Sequence, residues 1–204
     1  MKRLFCLFLG LALSVSILAS SSKPSQQHPE LKAKTVVWAG LDYSLVRMYG
    51  EKGFNEEEKI FPHFPDAWNQ LFLSERIKVV EKLLKKTVIV DIEAVNKQNK
   101  KATSEQIVKK SGSFIGDTHI HAEDIENLVK SYELSEKEGL GLVYIVDRLV
   151  KPDKKGSIYI VFFDIEKRTV IVCDHYIGKA GGFGFRNYWF GVVKQVDKNL
   201  KKYK

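Results

Sequence analysis

The chain has 204 residues, with 33 Lys plus Arg against 25 Asp plus Glu and a formal net charge of +8. That length suits one compact domain or at most two small ones, and it excludes a long tandem array or a multi-span membrane protein. With 44% hydrophobic and 28% charged residues it can bury a core, which argues against wholesale disorder.

In chain order, the first segment reads as an address. Lys2 and Arg3 form a positive start, Leu4 to Leu18 an apolar run broken by Gly10 and two serines, and Ala19, Ser20 and Ser21 supply small residues for cleavage. This is the tripartite export pattern, assigned to residues 1–21. The run is shorter than the roughly 20 apolar residues a span needs. The expectation is therefore a cleaved signal, no stable membrane span afterwards, and a periplasmic or extracellular location. Cys6 lies inside the run, too early for lipid attachment. Removing Lys2 and Arg3 takes the charge from +8 to +6, and removing Cys6 leaves Cys173 alone. One cysteine makes no intrachain disulfide, so an exported domain of this kind relies on its core. Residues 22–34, polar with Pro24 and Pro29, read as a flexible leader, and 35–204 as one domain.

Thr35 to Tyr43 is apolar and rich in β-branched and aromatic residues, which predicts a strand. Residues 47–62, with Gly50, Gly53, Glu56 to Glu58 and Pro62, read as a loop. Pro65 suits a helix start, and Trp68, Leu71, Phe72, Val79, Val80, Leu83 and Leu84 continue a helical stripe to residue 85. Thr87 to Asp91 reads as a short buried strand. The polar, lysine-rich stretch 92–118 offers a short helix at Ser104–Lys109, and a clearer helix follows at Ala122–Tyr132. Three strands, 140–150, 157–165 and 169–177, are joined by short turn-rich links and predict an antiparallel meander. In Ser157 to Ile165 both alternating sets are apolar, which demands cover on both faces. A last helix runs from Phe185 to Leu200 on a stripe that includes Trp189. The order predicts an α/β fold: a single-domain layered sandwich with a mixed sheet of about five strands, a C-terminal antiparallel meander and helices on both faces.

The stretches VVWAGLDYS at 36–44 and GKAGGFGFRNYW at 178–189, with GLGLVYIVDRLVK at 139–151 between them, resemble a family of small exported bacterial proteins of unassigned function. The order of elements also looks like the envelope α/β domains typified by the amino-terminal domain of the Tol translocation protein. That second likeness is architectural. It brings no catalytic residues, and a fold does not give a function.

The most unusual stretch is Gly178 to Arg186, between the last strand and the last helix. Lys179, Gly181, Gly182, Gly184 and Arg186 could bind a ligand, because glycines admit close backbone approach and a helix start offers free amides to an anion. The same glycines equally suit a tight corner that lets Phe183 and Phe185 pack. The pattern is neither a phosphate-binding Walker loop, since Lys179 precedes the glycines, nor a dinucleotide fingerprint. Arg186 and Asn187 fall off the core stripe and could face a ligand, a partner or an internal carboxylate. Asp42, at the exit of the first strand, joins the ligand-binding set on the rule that strand ends host sites.

His119 and His121 before Glu123 and Asp124 suggest a metal. A helix cap at His121 with Asp124 in the third helical position, stapled by Ile120 and Ile125, explains the same residues. No metal and no cofactor is expected. Ser44 lacks a hydrolase elbow. Asp91 and Glu93 could pair as carboxylates, though Asp91 also suits a helix cap. Cys173 reads as a buried small hydrophobe. The lysine-rich stretches 97–110 and 194–204 could attract anions, but export removes access to nucleic acid. The expectation is an exported, non-catalytic domain that binds an envelope protein or an anionic ligand. The alternatives are an anion-binding protein built on the glycine-rich corner, or a hydrolase using Asp42, Ser44 or Asp91 with Arg186.

Overall fold

The computed structural model describes residues 24–50, 54, 60–108 and 119–204. The predicted signal and the acidic run at 56–58 lie outside the described residues. β1 (Thr35–Asp42) is buried throughout after Thr35. A turn closed by the Val46 amide on the Tyr43 carbonyl (3.2 Å) leads to β2 (Arg47–Tyr49). β3 (Thr87–Val90), β4 (Ile107–Val108), β5 (Leu140–Val150), β6 (Lys155–Asp164) and β7 (Thr169–Lys179) complete a seven-stranded sheet.

Seven strands fill only five lanes. β6 pairs with β5 along its whole length, so β1 and β2 share the other side of β5, at residues 141–145 and 148–150 respectively. β3 and β4 likewise share the lane outside β1 and β2. These five strands run parallel, while β5, β6 and β7 form the antiparallel meander.

The helices are α1 (Pro24–Gln27), α2 (Ile60–Glu75), α3 (Ile77–Leu84), α4 (Glu93–Asn99), α5 (Ala122–Ser131) and α6 (Gly184–Val196), with 3-10 turns at Pro29–Lys32, Ser104–Gln106 and Asp197–Tyr203. Two apolar clusters flank the sheet. Trp38, Leu142 and Tyr144 pack with Trp68 and Phe72 of α2 and Trp189 of α6. On the other face, Val37, Val143 and Ile145 pack with Ile125 and Val129 of α5. Helices on both faces are what a two-sided apolar sheet requires.

Some predicted elements differ in detail. The stretch read as a flexible leader is, in its described part, built into the domain: Leu31 is fully buried in the core, and Lys86 donates to the Leu31 and Ala33 carbonyls at 2.6 and 2.7 Å. The helix expected over 65–85 starts earlier and is two helices. Ile60 and Phe61 are buried and extend the apolar face upstream, and the break at Arg76 turns that side chain toward Asp197 at 2.6 Å. The strand expected to be buried at Thr87 forms a sheet edge, with Ile89 38% and Val90 43% exposed. An apolar run states what can be buried, and topology decides whether it is. The short helix expected at Ser104 is one 3-10 turn followed by β4.

The gap between β3 and β4 exposes the outer edge of β1 and its exit turn. Side-chain amides close it. Asn69 of α2 accepts from the Leu41 amide (2.7 Å) and donates to the Leu41 carbonyl (3.0 Å). Asn99 donates to the same carbonyl (2.9 Å) and accepts from the Tyr43 amide (2.6 Å). Gln106 donates to the Ser44 and Val46 carbonyls, each at 2.9 Å. Buried backbone groups must find partners, and these three residues supply them where no strand does.

Candidate functional site

From β1 the chain crosses one face through α2 and α3 to β3, then the other face through α4 and α5 to β5. The crossings diverge between β1 and β5. In open α/β sheets the crevice at the carboxyl ends of such strands is where ligands bind. Here the chain's own polar groups fill it.

Asp42, the last residue of β1, is fully buried. Its carboxylate accepts from the Ser44 amide and from the Tyr132 hydroxyl, each at 2.7 Å. Burial pushes its carboxyl above the ordinary value, against the pull of the bonds from Ser44 and Tyr132 and the charge of Lys101. Tyr132 belongs to the α5-side cluster.

Farther along β5, Asp147 is also fully buried. Its Oδ2 accepts from Ser157 Oγ (2.6 Å), Arg148 Nε (3.0 Å) and His175 Nε2 (3.1 Å). His119 Nδ1 stands 3.2 Å from Oδ1. That contact is within ion-pair range but off the hydrogen-bond line, and neither atom has an aligned partner. The other nitrogen of His119 donates to the Leu45 carbonyl at 2.7 Å, since a carbonyl can only accept. His119 thus ties the exit turn of β1 to β5. His175 stacks on Tyr159, with ring centroids 4.3 Å apart. Both histidine side chains are 28% exposed. Burial alone would raise the Asp147 carboxyl. The nearby His119 imidazole, bonds from His175 and Ser157, and the charge of Arg148 overcome it and hold the group well below the ordinary range. The buried carboxylate therefore fixes the tautomer of His175 at the surface, while the Leu45 carbonyl fixes that of His119 beside it. Among the described residues no cluster of His, Cys, Asp or Glu is arranged to hold a metal ion. Three donors on Asp147 Oδ2 and the adjacent Arg148 cation also oppose one.

The glycine-rich corner is on the other face. Trp68 of α2 donates from its indole to the Arg186 carbonyl at 2.9 Å, and its ring packs on Tyr43 and Phe185. Arg186 leaves its side chain exposed, as do Lys179 and Asn187. Asp42 therefore does not join Lys179, Gly181, Gly182, Gly184 and Arg186. It points to Tyr132, away from them, because its neighbour Leu41 is the residue of that pair that packs on the α2 side. Gly182, at φ 130°, is needed for the corner, since a methyl there would meet the Asn187 carbonyl at 2.8 Å. A methyl at Gly181 or Gly184 would meet nothing within 4 Å, so the corner is open surface. Phe185 turns inward against Phe64 (4.6 Å), while Phe183 is 96% exposed.

No family model, curated protein or solved structure matches this chain.

The remaining candidates are structural. The His121 amide donates to Asp124 at 2.8 Å, and Ile120 and Ile125 share the α5-side cluster, so the predicted cap is present. Asp91 accepts from the Ser135 amide and does not cap α4, whose first-turn cap position is Ile92. Cys173 is exposed, contrary to the buried reading. Enough of the sheet still surrounds its thiol that burial, and then the Asp174 charge, push it up to about 11, which leaves little reactive thiolate near neutrality. Trp189 is buried as its stripe predicts. Sequence reasoning missed the Asp147 cluster. The available signal was an adjacent Asp147 and Arg148 inside a strand whose both faces are otherwise apolar, since charged residues are almost never fully buried unless paired.

Proposed function

We propose that the chain is an exported α/β domain that binds a protein or ligand of the cell envelope without catalysing a reaction on it. The export-type start at residues 1–21 and the likeness of VVWAGLDYS and GKAGGFGFRNYW to small exported bacterial proteins support the location. The observation that carries the binding surface is Phe183, 96% exposed at the start of α6 between the exposed Lys179 and Arg186. An aromatic ring beside cations on a rigid corner is the make-up of a recognition surface. Lys179, Gly181, Gly182, Gly184 and Arg186 belong to that surface, and Asp42 does not. Fractionation should recover the chain from the envelope, shortened by its first twenty or so residues as the tripartite pattern requires. A photo-reactive residue at position 183 should capture an envelope component that the same residue at Glu123 does not. An unprocessed cytoplasmic chain overturns the location, and equal capture at both positions overturns the surface.

A second reading, carboxylate-based hydrolysis, is favoured by one observation: Asp147 holds His175 through Nε2, and Tyr159 fixes its ring plane, which leaves Nδ1 as a proton acceptor. Ser157 is not the nucleophile, because it is fully buried and its hydroxyl donates to Asp147. Ester or phosphoester hydrolysis that is lost in His175→Gln at unchanged melting temperature would establish this reading.

A further inference from the structure

At the end of the sheet that carries Phe183 the fold gathers cations from two stretches of the chain, 151–155 and 179–186. The turn after β5 brings Lys151 and Lys154, β6 opens on Lys155, and Lys155 faces Lys179 across the β6–β7 pair. The Ala180 amide donates to the Lys154 carbonyl at 2.8 Å, which fastens the glycine corner to that turn. The Gly181 amide donates to the Tyr188 carbonyl at 2.8 Å, which folds the corner back on α6. Lys151 Nζ lies 3.9 Å from the centre of the Tyr188 ring. Lys154, Lys179 and Arg186 are exposed, and Lys151 and Lys155 are half-buried. Among the described residues of these segments the one acid is Asp153, itself engaged in an interaction. This end of the sheet is thus cationic, with an unpacked phenyl ring at its apex.

From this geometry we propose that the corner docks on an anionic lipid bilayer, with Phe183 inserted among the acyl chains and Lys154, Lys155, Lys179 and Arg186 at the headgroups. The proposal rests on the envelope-binding reading and names the occupant of that same surface. Two physical effects act together. Burying a phenyl ring in hydrocarbon strengthens partition about ten- to a hundredfold, and each cation near an anionic leaflet contributes about fivefold. The corner is braced at two points, by the Ala180 amide on Lys154 and the Gly181 amide on Tyr188, and the free amides at the start of α6 can face headgroup phosphates. Phe185, packed beneath against Phe64 and Trp68, anchors the corner so that Phe183 is presented by a rigid support.

The test uses the full chain carrying Phe183→Trp, a conservative change at an exposed position. Its readout is local, so the apolar run at residues 4–18 does not confuse it. Vesicles are equimolar phosphatidylethanolamine and phosphatidylglycerol, the latter brominated in its acyl chains. The emission gained over the parent should be quenched by these vesicles and recovered when salt screens the headgroups. Adding Lys154→Glu and Lys179→Glu should weaken the quenching titration by about tenfold or more. No quenching of the added emission, or equal quenching when brominated phosphatidylcholine replaces the anionic lipid, overturns the proposal. Capture of a polypeptide and no lipid by a photo-reactive residue at position 183 also overturns it, while leaving the envelope-binding reading intact. Recovery of an unprocessed cytoplasmic chain instead overturns that reading itself.

Discussion

Asp147→Ala should cost about 3–5 kcal/mol of folding stability in urea unfolding, the range for removing one partner of a buried, charged network. The substitution leaves Ser157 Oγ, Arg148 Nε and His175 Nε2 aimed at an atom that is gone. Ser157 is fully buried and Arg148 nearly so, so water cannot readily replace the carboxylate for either. The penalty should also depend on pH, with a definite sign. The Asp147 carboxyl is held below its ordinary value of 3.8 in the folded chain, so the folded state binds that proton more weakly than the unfolded state. The resulting stabilisation is complete above 3.8 and is lost as pH falls below it. The gap between parent and Asp147→Ala should therefore be full near about pH 7 and narrow in acid. Asp42→Asn provides the opposite case in the same series. Burial raises the Asp42 carboxyl in the folded chain, so its contribution is present below 3.8 and lost as pH rises through the raised value. Asp42→Asn should approach the parent in acid and exceed it by about 1 kcal/mol near neutrality. If the Asp147→Ala penalty is below about 1 kcal/mol, the cluster is not the network described. If the two variants show the same pH trend, one of the two burial arguments is wrong.

Those two aspartates mark what the sequence could show. The meander was legible because both-face apolar runs and short links such as Glu166 to Arg168 are local signals, and the α5 cap was legible because His121 and Asp124 are three residues apart. β2 and β4 were not, because three and two residues in polar surroundings carry no period. They exist because β5 overruns β1 and leaves room beside it. The stitching by Asn69 and Asn99 spans 28 and 58 residues, and the contacts from Asp147 to His119 and His175 each span 28. No window along the chain contains them. For Cys173, alternation with Ile171 implies a common covered face, whereas Ile171 packs on the core and Cys173, His175 and Ile177 stay exposed. The glycine corner was found by composition. Composition presents its two phenylalanines as one packing pair, whereas the helix start at Gly184 sends Phe185 inward and leaves Phe183 outside.

Arg76→Leu should lower stability by about 3–5 kcal/mol, for a reason that a second substitution can isolate. Arg76 stands at the break between α2 and α3, and its Nε donates to the fully buried Asp197 Oδ2 at 2.6 Å. Tyr144 of the central strand donates to the other oxygen at 3.0 Å. The pair joins the α2–α3 junction to the end of α6 across the larger apolar cluster. Burial raises the Asp197 carboxyl even with Arg76 and Tyr144 pulling it down. Without Arg76 it should rise further, because the largest opposing charge is gone. A carboxyl raised in the folded state stabilises at low pH and loses that contribution as pH rises. The Arg76→Leu deficit should thus be small in acid and grow toward neutrality, as the unpaired carboxylate is forced to ionise in the core. The double variant Arg76→Leu with Asp197→Leu removes both charges and should regain most of the loss, since a buried pair is often no more stable than apolar residues of similar volume. Tyr144 then keeps a hydroxyl without its acceptor, which sets the residual cost at about 1–3 kcal/mol. Additive losses in the double variant would mean that the two side chains stabilise the fold separately, by packing, and that the ion pair is not what holds α3 to α6.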